Sequence, residues 1–262
     1  MGTANVLEAI RTTGGVRAAV MITTDKCYEN NEWVWGYREQ DRLGGHDPYS
    51  NSKACAELVT SAYRDSYFSQ GSVAIASARA GNVIGGGDWA LDRLIPDMVR
   101  AFSEEQPVQI RNPNAIRPWQ HVLEPISGYL SLAEHLWTDG TYADGWNFGP
   151  NDEDAKPVSW IVENLSKLWG DNASWQTDEG VHPHEATYLK LDCSKAKQKL
   201  GCKPQLTLFT ALEWTVEVYK AYLQEADLNA LMTEQIERFQ HLSQKEISSA
   251  SQPQVDTLLS PV

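Results

Sequence analysis

The sequence predicts an α/β fold, a parallel sheet wound with helices and joined to a smaller mixed α/β lobe. Three observations carry that prediction. Two short apolar runs, Ala18-Ala-Val-Met-Ile22 and Ser72-Val-Ala-Ile-Ala-Ser77, have the length and β-branched content of strands buried on both faces. A helical pattern lies between them, and strand, helix, strand order implies a right-handed parallel unit. Beyond residue 92 the elements shorten, and Pro, Asn and Asp punctuate the joins. The boundaries that follow are 1–91 for the sheet domain, 92–242 mainly for the smaller lobe, interleaved with the first, and 243–262 for a disordered tail.

Each element has a local cause. Val6, Leu7 and Ile10 recur at helical spacing and Gly14-Gly15 stops that first helix. The first strand ends in Thr23-Thr24-Asp25-Lys26-Cys27-Tyr28, and the carboxyl end of such a strand is where open α/β sheets place ligands. After a loop over 29–46, Asp47-Pro48 is an N-cap followed by proline at the first helical position. The helix it opens, to about residue 67, is expected to pack through Ala54, Leu58, Val59 and Tyr63. A second strand follows and leaves through Arg79-Ala-Gly-Asn-Val-Ile-Gly-Gly-Gly-Asp-Trp89. In the smaller lobe, helices are expected over 94–103, 125–137 and 158–169, and strands over 108–111, 145–148 and 187–191. A long helix over 208–223 packs through Leu212, Val216 and Tyr219, and charged helix continues to about residue 245.

Composition narrows the function classes. The chain has 262 residues, 22 basic and 35 acidic side chains and a net charge of −13, which argues against a nucleic-acid surface. No stretch approaches the roughly 18–20 apolar residues of a membrane helix. Four scattered cysteines without a CxxC pair make no disulfide framework, so a reduced, cytoplasmic protein is expected.

The sharpest chemical signal is Tyr49-Ser-Asn-Ser-Lys53, just inside a helix and one loop beyond Thr24-Asp25-Lys26. Residues i and i+4 share a helix face, so phenol and ammonium can approach one ligand together. An ammonium beside a phenol favours phenolate, which makes tyrosine a usable base for a hydroxyl proton. An isolated pair of this kind is more often an exposed surface pair; the flanking strand ends change that balance.

These residues resemble the short-chain dehydrogenase/reductase superfamily in its extended, nucleotide-sugar branch. The strings Thr24-Asp-Lys-Cys-Tyr-Glu-Asn30, Trp33-Val-Trp-Gly-Tyr-Arg-Glu39, Asp47-Pro-Tyr-Ser-Asn-Ser-Lys53, Arg79 to Trp89 and Arg117-Pro-Trp-Gln-His-Val122 look closer still to the CDP-glucose 4,6-dehydratase group. The resemblance covers residues 1 to about 242. It implies a Rossmann-like sheet, NAD as cofactor, CDP-glucose or a related nucleotide sugar as substrate, a homo-oligomer, and a role in deoxysugar biosynthesis.

The same resemblance implies roles. Thr24, Asp25, Lys26, Tyr49 and Lys53 would be catalytic. Thr23, Tyr49, Lys53, Ala80, Asn82 and Val83 would hold NAD. Asn82, Arg93, Leu94, Ile95, Arg111, Arg117 and His121 would bind the nucleotide sugar. Plainer readings stand beside these: Asn82 suits turn chemistry, and each arginine suits a rim ion pair. Cys27 reads as a packed strand-end thiol, and His182-Pro-His184-Glu185 is a weak metal motif, so no metal is expected. The family also begins with a first strand and a Gly-x-x-Gly-x-x-Gly turn that cradles pyrophosphate. Gly85-Gly86-Gly87 follows a later strand and is not that turn. The expectation is therefore a fragment lacking about 100 residues, one mononucleotide-binding half of the fold. As written, it is expected to be poorly soluble and neither to hold NAD nor to turn over CDP-glucose. Two alternatives are an epimerase of the same branch, which would not need Asp25-Lys26 to expel water, and a non-catalytic remnant that binds a nucleotide sugar or a partner chain.

Overall fold

The structure is a computed structural model that describes residues 1–69, 71, 73–170, 173–178, 180 and 188–250, with only the helical backbone given for 245–250. In chain order, α1 (Gly2–Thr13), β1 (Ala18–Ile22), α2 (Pro48–Tyr63) and β2 (Ala74–Ala80) come first. Then follow β3 (Val83–Ile84), α3 (Leu94–Ser103), β4 (Val108–Ile110), β5 (Ile116–Pro118), β6 (Gln120–His121), α4 (Leu123–Thr138) and β7 (Gly145–Phe148). The remainder comprises β8 (Ala155–Pro157), α5 (Val158–Trp169), β9 (Trp175–Thr177), α6 (Ser194–Lys199), α7 (Leu208–Leu223) and α8 (Leu228–Ala250).

The main sheet is parallel, in the order β1-β2-β7, with Ala18 opposite Ala74 and Ser77 opposite Gly145. Successive side chains of β2 point to opposite faces. Ile75 packs with Leu7 of α1 and Val59 and Tyr63 of α2, whereas Ala76 and Ala78 meet Leu132 and Leu136 of α4. Helices thus cover both faces of a three-layered, Rossmann-type sheet. The smaller lobe has its own core, in which Met98 and Phe102 of α3, Ile161 and Leu165 of α5, and Leu208 and Leu212 of α7 meet. Gly86 touches α7 so closely that a Cβ there would lie 2.2 Å from Val218 Cγ1. The triple glycine is therefore used for close packing and a turn, with Gly87 at φ +87°.

Several expectations need correction. Burial on both faces holds for β2 but not for β1, whose Ile22 is half-exposed. The helix opened by Asp47 ends at Tyr63, and a π-type turn spans Arg64–Phe68. Of its expected packing residues Ala54 is buried and Val59 and Tyr63 pack on the sheet, but Leu58 is exposed, and Ser50, Glu57 and Thr60 are buried as well. That face is small and polar because it seats on a hydrogen-bonded cluster. The chain expected to be disordered from 243 is helical to Ala250, since α8 continues unbroken from its anchor of Phe239 against Trp214 and Leu206. In place of a strand over 187–191 there are two single bridges, Ile116 to Tyr188 and Tyr37 to Leu191. Residues 251–262, Thr187 and the His182–Glu185 motif lie outside the described residues.

Candidate active site

Two cavities compete for the chemistry. The larger, about 760 Å³, lies between the 33–41 loop and residues 190–197. It contains none of the residues given a site role from sequence, and Arg38 and Lys190 are committed there: Arg38 Nε sits 2.9 Å from Asp192 and Lys190 Nζ 3.2 Å from Asp152. The other, about 660 Å³, opens at the carboxyl ends of β1 and β2, where an open parallel sheet presents its loop residues. Thr24, Asp25, Lys26, Tyr49, Asn82 and Val83 line one side, and Arg93, Leu94, Ile95, Arg111 and Arg117 line the other. We take this cleft as the site.

The strand end is built by capping. Thr24 caps the 3₁₀ turn Asp25–Cys27, its Oγ1 accepting from Lys26 N at 3.4 Å and donating to Asp25 Oδ1 at 2.8 Å. Asp25 is 3% exposed, and its Oδ2 has no hydrogen-bond partner. Burial raises its carboxyl to about 6, against smaller opposing pulls from the Thr24 bond and the Lys26 and Arg117 charges. Gly81 forms the wall beside it; a Cβ there would lie 3.2 Å from Asp25 Oδ2 and 2.4 Å from Pro118 Cγ. A buried carboxyl whose free oxygen adjoins a cleft is a proton donor in waiting.

Helix α2 supplies the second group. Asp47 accepts from Ser50 N at 3.0 Å and Pro48 starts the first turn, so Tyr49 is fixed at the cleft mouth, half-exposed. Lys53 Nζ stands 5.7 Å from the Tyr49 ring centroid, on the expected shared face. On the far side, Arg117 is 9% exposed and Arg111 Nη2 lies 3.7 Å from Asp92 across the mouth.

Four expected site residues do not line the cleft. Thr23 turns its hydroxyl to Glu57 instead. Ala80 is buried and pairs with Phe148 in the sheet. Lys53 lies beside the Tyr49 ring and outside the cleft lining. His121 is 3% exposed, accepts from Leu123 N at 3.3 Å, and meets the Trp214 ring edge-on at 5.7 Å. Burial lowers His121 to about 4, so it is a neutral packing residue and not a cleft residue. Conversely, Gly81 and Trp119 line the cleft although neither was singled out. Their signal was present: Gly81 interrupts a strand end and Trp119 follows Arg117-Pro118.

The cleft's fit to a dinucleotide is one-sided. Tyr49, Asn82 and the exposed apolar Val83 all line the cleft, where they could meet a nicotinamide riboside, whereas Gly85 and Gly86 are packed on Val122 and Val218 and are not free to cradle a phosphate. Among the described residues no group of three or more His, Cys, Asp or Glu is placed to hold a metal ion, and no helix is long and apolar enough to cross a membrane. All four cysteines are free.

Comparison with known proteins gives the family. The chain is 57% identical over 234 residues to a CDP-glucose 4,6-dehydratase of Salmonella typhimurium, a match that covers 87% of this chain and 65% of that protein. It is 26% identical over 224 residues to a dTDP-glucose 4,6-dehydratase of Streptomyces griseus, covering 83% of this chain and 63% of the other. The chain thus spans about two thirds of the length of these relatives. Among solved structures, UDP-glucuronic acid 4-epimerase of Bacillus cereus, in complex with UDP-glucuronic acid and NAD, superposes with a TM-score of 0.73 at 21% identity, covering 84% of this chain and 66% of that one. A Bacillus anthracis dTDP-glucose 4,6-dehydratase in complex with NAD gives a TM-score of 0.69 at 23% identity, covering 84% and 66%. The family model for GDP-mannose 4,6 dehydratase matches residues 1–215, and the chain belongs to that family.

Proposed function

We propose that this cleft dehydrates CDP-glucose to the 4-keto-6-deoxy sugar with NAD as cofactor. The observation that carries the reading is Asp25, a buried carboxyl raised to about 6 with one oxygen unpartnered, set on the same wall as Tyr49. An epimerase has no leaving hydroxyl to protonate, whereas a dehydratase needs an acid at that place. The 57% identity to a CDP-glucose 4,6-dehydratase supports the substrate choice.

In this reading Tyr49 accepts the proton of the hydroxyl on sugar carbon 4, with Thr24 hydrogen-bonded to the same oxygen. Lys53 keeps the phenol in its reactive form. Lys26, beside Asp25, takes the proton from carbon 5 once carbon 4 is a ketone, a step that requires its neutral amine, and Asp25 gives its proton to the departing hydroxyl on carbon 6. Arg93, Arg111 and Arg117 hold the diphosphate, since guanidinium offers paired donors to phosphate oxygens. Leu94 and Ile95 shape the pocket beside them. Tyr49, Lys53, Asn82 and Val83 hold the nicotinamide riboside, with Thr23 and Ala80 supporting from behind. When bound there, NAD supplies the hydride acceptor for carbon 4 and the donor for carbon 6.

The test is to incubate the purified chain with CDP-glucose and NAD and analyse the sugar. The 4-keto-6-deoxy product, seen by its absorbance in alkali, would support the dehydratase reading and overturn the expectation that these residues alone do not turn over CDP-glucose. A C4 epimer that keeps its carbon-6 hydroxyl would establish the epimerase reading instead. Binding of CDP-glucose without product would leave a nucleotide-sugar binder.

A further inference from the structure

We propose that the buried Glu57–Arg79 pair is a positioning device that sets Tyr49 and Lys53 against the Thr24–Lys26 turn. The proposal rests on the roles given above to those residues.

Glu57 follows Lys53 by one helical turn and Tyr49 by two, on the face of α2 turned to the sheet. It is 3% exposed, and both of its oxygens are engaged. Thr23, the residue before Thr24, donates its hydroxyl to one. Ser77 Oγ donates to the other at 2.6 Å and Arg79 Nη2 at 2.7 Å, both from β2. Arg79 Nη1 in turn donates to Tyr28 OH at 2.6 Å and to Glu39 O at 3.1 Å, and Tyr28 donates to Asn147 of β7 at 2.8 Å. Gly145 leaves room for the guanidinium; a Cβ there would lie 2.8 Å from Arg79 Nη2. One carboxylate thus ties the residue before the turn, the helix carrying Tyr49, and the middle strand, while its partner ties the segment just after the turn.

Stability alone does not account for this arrangement. A buried ion pair gains little over an apolar pair of equal volume. What it supplies is direction. The other buried positions of α2, Ser50, Ala54 and Thr60, are small, and such a face resists rotation or sliding poorly. A rotation of α2 carries Tyr49 with it, so three directional donors on Glu57 fix the phenol's place.

Three chains distinguish positioning from bulk stabilisation: the parent, Glu57→Gln, and Glu57→Leu/Arg79→Met, which removes both charges and keeps the volume. Amide hydrogen exchange is read over residues 23–28 and 49–56, with α5 and α7 as internal controls. In Glu57→Gln both segments are expected to exchange at least about tenfold faster while the controls stay unchanged. In the double variant the melting temperature is expected to return toward the parent's while exchange in both segments stays fast. Turnover of CDP-glucose is expected to fall by about tenfold or more in both variants, with KM within about twofold. Unchanged exchange in Glu57→Gln, or exchange and turnover restored with stability in the double variant, would overturn the proposal. Where the parent shows no turnover, as is expected of these residues alone, the exchange data decide the positioning.

Discussion

The turn at Asp25 and the middle of helix α2 at Glu57 each bury one carboxyl to 3% exposure, yet the two carboxyls are shifted in opposite directions. At Glu57 burial pushes the carboxyl up, but the Arg79 bond and charge, then Ser77 and Thr23, outweigh it and hold it below the usual range. At Asp25 burial dominates and the carboxyl rises to about 6. Partners, not depth, separate structure from chemistry here. Glu57 is held charged by three donors, whereas Asp25 keeps an oxygen without one and faces a cleft.

The difference can be broken by removing each group in turn. Asp25→Asn keeps the shape and the Thr24 hydrogen bond but cannot protonate a leaving hydroxyl. Turnover of CDP-glucose is expected to fall by about 10²–10⁴ with substrate affinity little changed; steady-state kinetics checks both. Glu57→Leu leaves Arg79 charged and unpaired in the core, and urea unfolding is expected to show a loss of about 3–5 kcal/mol.

The smallest effect is the most diagnostic. Between the ordinary carboxyl value of 3.8 and about 6, the folded chain keeps a proton on Asp25 that the unfolded chain has released. Its contribution to stability is therefore full below that window and is lost as pH rises through it. Asp25→Asn removes this penalty, so at pH 8 the variant is expected to be the more stable by up to about 3 kcal/mol, and near pH 3.5 the difference vanishes. Thermal melts of both proteins across that range read it directly. If Asp25 is the acid proposed above, such a cost to stability is what a group retained for chemistry is expected to carry.

Much of this was legible in the residues. The paired strands, Asp47-Pro48 and the Tyr49/Lys53 spacing announce themselves through local rules that tertiary packing then obeys. The runs 94–103, 158–169, 145–148 and 208–223 likewise became α3, α5, β7 and α7 with the same limits. On α2, Ala54, Val59 and Tyr63 pack as expected, but periodicity weighs apolar residues, so Leu58 was placed inside where it faces out, and the buried Glu57 and Thr60 were passed over. Glu57 still lay in view at four residues beyond Lys53, but no pattern within α2 names its partners, which come from 20 and 22 residues away on β2. His121 was misplaced for a similar reason: its string, Arg117 to Val122, lies partly on the cleft and partly behind it, and only the β3–β6 pairing shows which side each residue takes.

The central claim is that burial lets Asp25 keep its proton up to about pH 6. The most direct measurement is the carbon-13 shift of its side-chain carboxyl as a function of pH, assigned by its disappearance in Asp25→Asn. The account expects a titration midpoint near 6. A midpoint at or below the ordinary 3.8 would mean a charged, partnered carboxylate, and the assignment of Asp25 as the acid would be contradicted.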